Sequence, residues 1–141
     1  MITITRQFQF CCGHRVFQHE SKCAHPHGHN YLLLATFQGE LDALGRIMDF
    51  SVVKNRLGKW IDDNWDHGFV LFKDDFAIEK WMIESKSKFF ILPYNPTAEN
   101  MAKYVMHEVI PDLFPEIVCT KIRLWETPNC FAEVTNEDRS F

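Results

Sequence analysis

The chain has 141 residues, the size of one ordinary domain, and 46% are hydrophobic and 14% aromatic, with thirteen phenylalanines, a composition that favours a packed core over disorder. A formal net charge of −4 argues against a general nucleic-acid surface, although local basic residues could still hold a small anionic ligand. No stretch approaches the roughly twenty apolar residues of a membrane span. The start "MITITRQFQF" lacks the basic opening and long apolar segment of a signal peptide. The cysteines (Cys11, Cys12, Cys23, Cys119 and Cys130) are odd in number and show no CxxC spacing. These features lead us to expect a soluble, reduced, cytoplasmic protein with no nucleic-acid or membrane partner.

In chain order, "ITITRQFQF" alternates as a strand does, with Ile2, Ile4, Phe8 and Phe10 on one face and only Arg6 breaking it. "HNYLLLATFQG" is a second strand ending at Gly39, and "GRIMDF" is expected to return as its hairpin partner. A helix follows, capped by Asp49 or Ser51, with Val53, Leu57, Trp60 and Ile61 at helical spacing. Residues 68 to 94 read as an insert, with "DDFAIEKWMIES" as a short helix and "KFFILPY" as a strand. A further helix begins at "NPTAEN" with Thr97 as N-cap, and Pro111 is expected to limit it. "VCTKIRLWE" is a strand with Val118, Thr120, Ile122, Leu124 and Glu126 on one face, and "CFAEV" is a last short strand. The order β-β-β-α-insert-α-β-β points to an α+β fold, with helices on one face of an antiparallel sheet.

"KCAHPHGHNY", Lys22 to Tyr31, places three histidines and a cysteine within seven residues. At a strand start, His27 and His29 project from the same face, and Gly28 permits close backbone approach. His14 follows the first strand, which can pair beside them. Three imidazoles with a fourth position open is the catalytic zinc pattern, whereas a structural zinc is closed by four ligands. Nitrogen ligands also admit iron, nickel or copper. A lone histidine beside a turn is a surface residue; an H-x-H pair with an upstream histidine favours a metal. His19 and His25 read as loop residues, because Pro26 marks the strand boundary. No HExxH helix and no HxE with a PCxxC partner is present.

Cys23 lies four residues before His27. It is either a fourth ligand, which would make the site structural, or a free thiol whose thiolate is favoured by nearby positive charge. Asp66 and His67 in "NWDHGF" offer a carboxylate that can orient an imidazole, although such a dipeptide taken alone is more often a solvated turn. Glu126 ends an apolar strand and is either exposed at its tip or set against a ligand, where a carboxylate can accept two parallel N–H bonds of a heterocycle.

Together "FCCGHR", "CAHPHGHNY", "MDF", "WDHGF", "NPTAEN" and "WET", spread from position 10 to 127, resemble the 6-pyruvoyltetrahydropterin synthase/6-carboxytetrahydropterin synthase family. The resemblance implies a single domain over 1–141 with a tunnelling fold: a four-stranded antiparallel sheet, two helices on one face, and closure into a barrel as a homo-oligomer, a hexamer built from two trimers. It implies Zn²⁺ on His14, His27 and His29, Cys23 as catalytic thiol, and Asp66 with His67 as its relay, supplied by a neighbouring subunit. Glu126 is implied as the pterin anchor, with Thr97 and Glu99 near the pterin pocket. The implied substrate is 7,8-dihydroneopterin triphosphate. The three-residue gap in "CAHPHGH" resembles the queuosine-branch enzymes, which lose triphosphate and acetaldehyde and leave a 6-carboxy group. The pyruvoyl branch is the alternative, and so is a folate-branch side-chain lyase, since Glu20 stands near the cysteine as a solvated loop residue or a second acid/base. A non-catalytic metal or pterin-binding module is the competing class, and a zinc hydrolase of unrelated fold is disfavoured by the absence of a glutamate at the usual spacing.

Overall fold

The computed structural model describes residues 1–137, so the last four positions of the expected 1–141 domain lie outside the described residues. The first two strands, β1 (Thr3–His14) and β2 (His27–Gln38), pair antiparallel along their whole length, from Thr3 opposite Gln38 to His14 opposite His27. Alternation decides their faces: Phe10, Cys12 and His14 on β1, and Tyr31, Leu33, Ala35 and Phe37 on β2, turn inward and are buried.

The segment "GRIMDF" is not a strand. Asp42 organises the loop instead, with its Oδ1 accepting from the N–H groups of Leu44 and Arg46 and its Oδ2 from Arg46 Nε. Such local bonds compete with a ladder, and both sides of β2 are already taken, by β1 and by β5 (Val118–Thr127).

Asp49 caps the first long helix, α1 (50–64), by accepting from the Ser51 N–H at 2.8 Å. The helix widens into a π turn at Lys54–Gly58 before closing over Lys59–Asn64. Thr97 caps the other long helix, α3 (98–113), by accepting from Asn100 N–H. Pro111 does not end α3, which runs on to Leu113. A π turn at Val105–Val109 stands just before it, a place where the regular i→i−4 bonding that proline disrupts is already relaxed.

Val53, Leu57 and Ile61 from α1 and Met101, Val105 and Val109 from α3 share one core with Phe10, Tyr31, Leu33, Ile122 and Leu124 of the sheet. Both long helices therefore lie on one face. On β5 the expected face holds for Ile122 and Leu124 but not for Val118, which is exposed while Cys119 is buried. The reason is a register shift against β2, where Thr36 faces Lys121 and Phe37 faces Cys119, so that Thr120 is the extra residue and alternation reverses.

The insert changes the sheet. β3 (Gly68–Phe72), α2 (Phe76–Glu84) and β4 (Phe89–Leu92) form a β-α-β unit whose strands pair parallel to each other and to the end of β1. With β6 (Cys130–Thr135) on the far side, the sheet has six strands in the order β4-β3-β1-β2-β5-β6, mixed and not purely antiparallel. The four-stranded antiparallel sheet expected from the sequence is the β1-β2-β5-β6 part; a chain that inserts a βαβ unit after α1 adds two strands at the free edge of β1. α2 packs through Ile78 and Met82 on Leu71, Phe69 and Phe89, a cluster separate from the main core. Val70 and Phe90, which alternate with these residues, join the main core, so α2 covers the opposite face from α1 and α3.

Candidate metal and proton-transfer site

The imidazoles of His14, His27 and His29 converge at one end of β1 and β2, on the helix-covered face, with one ring nitrogen of each within 4.8 Å of the others. Cross-strand pairing places His14 opposite His27, and His29 follows two residues along β2. His14 is buried, with its Nδ1 at 2.6 Å from the carbonyl of Pro96, just before the Thr97 cap. His27 Nδ1 lies 2.6 Å from the carbonyl of His25. A carbonyl only accepts, so each Nδ1 must carry the proton and each Nε2 must carry a lone pair. Those two Nε2 atoms face each other at 3.1 Å. Two lone pairs cannot bond to each other, whereas a cation between them satisfies both. Two ligands of a tetrahedral zinc at about 2.05 Å stand roughly 3.3 Å apart, so the separation suits that geometry.

His29 adds to this. Its Nε2 is buried without a hydrogen-bond partner, although Glu126 Oε1 lies 3.4 Å away. An orphaned ring nitrogen beside two facing lone pairs fits a metal, and the Nδ1 contacts are the outer contacts that orient such ligands. Burial lowers the His14 pKa, outweighing the Pro96 bond and Glu126, which raise it, while the neighbouring imidazoles of His27 and His29 lower it further. Burial likewise lowers that of His29, against the pull of Glu126 and with help from His27. Both groups thus favour the neutral, ligating form.

Cys23 sits half-buried in the short turn Lys22–Ala24 and does not join the three imidazoles within that 4.8 Å spacing. Its carbonyl accepts from Val16 N–H at 2.8 Å, which closes the loop between β1 and β2. Glu126 is the extra residue at the register shift of β5 against β6 and turns toward the histidines on the face of Leu124. Thr97 is engaged in capping α3, and Glu99 is exposed on the first turn. The "NPTAEN" segment also fastens the loop after β1, because Asn95 accepts from Phe17 N–H at 2.7 Å and donates to its carbonyl at 3.2 Å.

Asp66 and His67 stand elsewhere in the subunit. His67 has φ +60°, a left-handed conformation, and its N–H donates to the Cys11 carbonyl at 2.7 Å. Its Nδ1 is 3.0 Å from Asp66 Oδ2, and Asp66 Oδ1 accepts from the Cys11 N–H at 3.1 Å. Burial raises the Asp66 pKa, but the bonds from Cys11 and His67 and the charges of His67 and Lys88 outweigh it and hold the carboxyl below its ordinary value. Cys11 alternates with the inward Phe10 and Cys12, so this cluster faces away from α1 and α3. The thiol within reach of His67 in its own chain is thus Cys11, 3.7 Å from Nε2, and not Cys23. Sequence reasoning passed over Cys11 because, although alternation with Phe8 and Phe10 turns it outward, nothing in "FCCGHR" indicates which residue lies beside it there. It also had no access to the Pro96 and His25 carbonyls.

The α+β fold carries, at one end of its sheet, a cluster of three imidazoles that could hold a metal ion, with a carboxylate beside it. Residues 3–137 match the family model described as 6-pyruvoyl tetrahydropterin synthase, and the chain belongs to that family. Among curated relatives it is similar to the 6-carboxy-5,6,7,8-tetrahydropterin synthase of Rickettsia conorii, 41% identical over 139 residues, covering 95% of this chain and 100% of that protein. The protein of the same description from Haemophilus influenzae is 32% identical, covering 94% and 98%. Among solved structures, an uncharacterized protein WS1659 from Wolinella succinogenes superposes with a TM-score of 0.80 at 24% identity, covering 96% of this chain and 98% of that one. The 6-pyruvoyl tetrahydropterin synthase of Caenorhabditis elegans gives a TM-score of 0.70 at 23% identity, covering 95% and 94%. At these identities the structural matches speak to fold. Among the described residues, no helix is long and apolar enough to cross a membrane.

Proposed function

We propose that the protein converts 7,8-dihydroneopterin triphosphate to 6-carboxy-5,6,7,8-tetrahydropterin, releasing triphosphate and acetaldehyde, with Zn²⁺ held by His14, His27 and His29. The observation that carries the reading is the set of three Nε2 atoms, two with lone pairs facing at 3.1 Å and one buried without a partner, in a chain whose curated relatives at 41% and 32% identity are described as 6-carboxy-5,6,7,8-tetrahydropterin synthases. A zinc ion bound there supplies Lewis acidity toward the hydroxyls of the substrate side chain.

The chain's own groups do the rest. Glu126 offers a carboxylate beside the histidines that can accept paired N–H bonds from the pterin ring. Cys23 and His67 move protons, with Asp66 holding His67 in the tautomer that leaves Nε2 free to accept. Within one subunit the imidazole cluster lies on the helix-covered face and His67 beside the outward Cys11. The relay therefore meets a metal centre when a second subunit brings its His67 to the first, which supports a homo-oligomer, a hexamer of two trimers, with a barrel formed from joined sheets. Closure also removes exposed sheet edges.

The test is incubation of purified protein with dihydroneopterin triphosphate and identification of the pterin by mass spectrometry. A 6-carboxy product with acetaldehyde is expected. The description of the matching family favours a second reading, in which the pyruvoyl side chain is kept; that product would replace the first reading. No pterin product from metal-loaded protein would leave a non-catalytic pterin or metal module.

A further inference from the structure

Cys11, His67 and Asp66 form a second cluster of thiol, imidazole and carboxylate outside the three-histidine centre. The carboxylate of Asp66 only accepts, so the proton between it and His67 sits on Nδ1, and Nε2 presents its lone pair to the Cys11 thiol at 3.7 Å. The arrangement is held from three sides. Asp66 Oδ1 takes the Cys11 N–H, the Cys11 carbonyl takes the His67 N–H, and Lys88 Nζ donates to the Asp66 carbonyl at 2.6 Å. His67 is kept in a left-handed conformation that non-glycine residues rarely adopt. Two depressions, of about 320 and 530 Å³, both border Cys11 and His67, so a small molecule can reach the sulfur. A nucleophile, a base within reach of its proton, and a carboxylate orienting the base is the arrangement of activated thiols.

We propose that Cys11 is a base-activated nucleophilic thiol, with His67 as proton acceptor and Asp66 as its orienting group, whose ligands are small soft electrophiles such as low-molecular-weight disulfides. With a disulfide RSSR, Cys11 Sγ gives its proton to His67 Nε2 and attacks one sulfur. The S–S bond breaks, a Cys11–S–S–R bond forms, and the departing thiolate takes the proton from His67 and leaves as RSH. Nothing else is oxidised or reduced: one disulfide and one thiol become another disulfide and another thiol. This goes beyond the pterin reading, in which His67 and Asp66 serve the Cys23 of a neighbouring subunit: in the absence of substrate the same Nε2 faces Cys11 of its own chain, and the test needs neither pterin nor metal.

The five cysteines supply their own controls. Cys12 and Cys119 are buried, Cys23 is half-buried, and Cys130 is exposed, with the Thr127 hydroxyl as its contact and, among the described residues, no metal-type cluster of His, Cys, Asp or Glu around it. If exposure alone governs reactivity, Cys130 reacts first; if the triad governs it, Cys11 does. Full-length protein is treated with oxidised glutathione, and separately with iodoacetamide, quenched at intervals and mapped by tandem mass spectrometry, which separates Cys11 from Cys12. Cys11 is expected to react at least roughly tenfold faster than Cys130, below the 10²-fold that a positioned general base commonly supplies. In His67→Gln and in Asp66→Asn its rate is expected to fall at least tenfold or severalfold respectively, while that of Cys130 stays the same. His67 is 79% exposed, so its replacement disturbs little packing, and an unchanged urea midpoint shows that the fold is kept. The proposal is overturned if Cys130 or Cys23 is modified before Cys11. It is overturned equally if His67→Gln leaves the Cys11 rate unchanged.

Discussion

The carbonyl of Pro96 and Nδ1 of His14 meet at 2.6 Å across 82 residues of sequence. That bond lets the start of α3 decide which nitrogen of His14 faces the other two histidines. It also joins two short motifs, "FCCGHR" and "NPTAEN", that look unrelated along the chain.

Loss of one imidazole should dismantle the metal centre. His27→Ala removes one of the two Nε2 lone pairs that face each other. The wild-type protein should carry about one zinc per chain by elemental analysis after dialysis, and the variant should carry almost none. Full occupancy in the variant would refute the three-histidine assignment.

The lowered pKa values of His14 and His29 make a signed prediction for the metal-free protein. Burial favours the neutral rings in the folded state, so the unfolded chain binds more protons once pH drops below the ordinary histidine value near 6.5. Stability from this source is fully present above about 6.5 and falls as pH drops toward the lower folded values. Urea midpoints followed from neutral to acid pH should decline over that window, and His14→Gln should flatten the decline. A curve of wild-type steepness in the variant would contradict the assignment.

Cys23 and His67 should separate chemistry from folding. Cys23→Ala and His67→Ala should each keep zinc and assembly while turnover falls about 10²–10⁴-fold. If the two groups serve one transfer path, the double variant should be little worse than either single one. Glu126→Gln should weaken substrate affinity as well as rate. Turnover near the wild-type level in Cys23→Ala, measured beside its zinc content, would remove that thiol from the mechanism.

Asp75 is buried and takes both Arg15 Nε at 2.7 Å and Arg15 Nη2 at 2.5 Å, while also capping α2. Asp75→Ala strands the guanidinium and removes the cap. A fully buried broken pair costs about 3–5 kcal/mol, but Arg15 remains 23% exposed, so a loss of about 2–3 kcal/mol is expected after allowing for solvent. Urea denaturation measures it, and a loss within about 0.5 kcal/mol of zero, as for a surface change, would show that the pair is dispensable.

The sheet faces bear on assembly. Gel filtration and sedimentation should show an oligomer larger than a dimer, since His67 and the histidine centre lie on different faces of one subunit. A stable monomer with full turnover would refute the intersubunit relay.

What the sequence determined by itself was local. Alternation assigned the faces of β1 and β2, helical spacing found the buried stripes of α1 and α3, Thr97 declared its own cap, and the first cap was narrowed to Asp49 or Ser51, of which the structure uses Asp49. The H-x-H pair and its upstream histidine stood out for the same reason, because two-residue periodicity places His27 and His29 on one face whatever surrounds them. The tertiary structure decided everything that depends on pairing between distant elements. Register set His14 opposite His27, a bulge at Thr120 exchanged Val118 for Cys119, and the insert joined β1 as parallel strands. The carbonyls of Pro96 and His25 that orient the rings belong to the backbone, which every residue shares and which leaves no mark in the sequence. Which thiol stands beside His67 was likewise settled only when β3 came to lie along β1, because a side chain's face is a property of its own strand while its neighbour is a property of the fold.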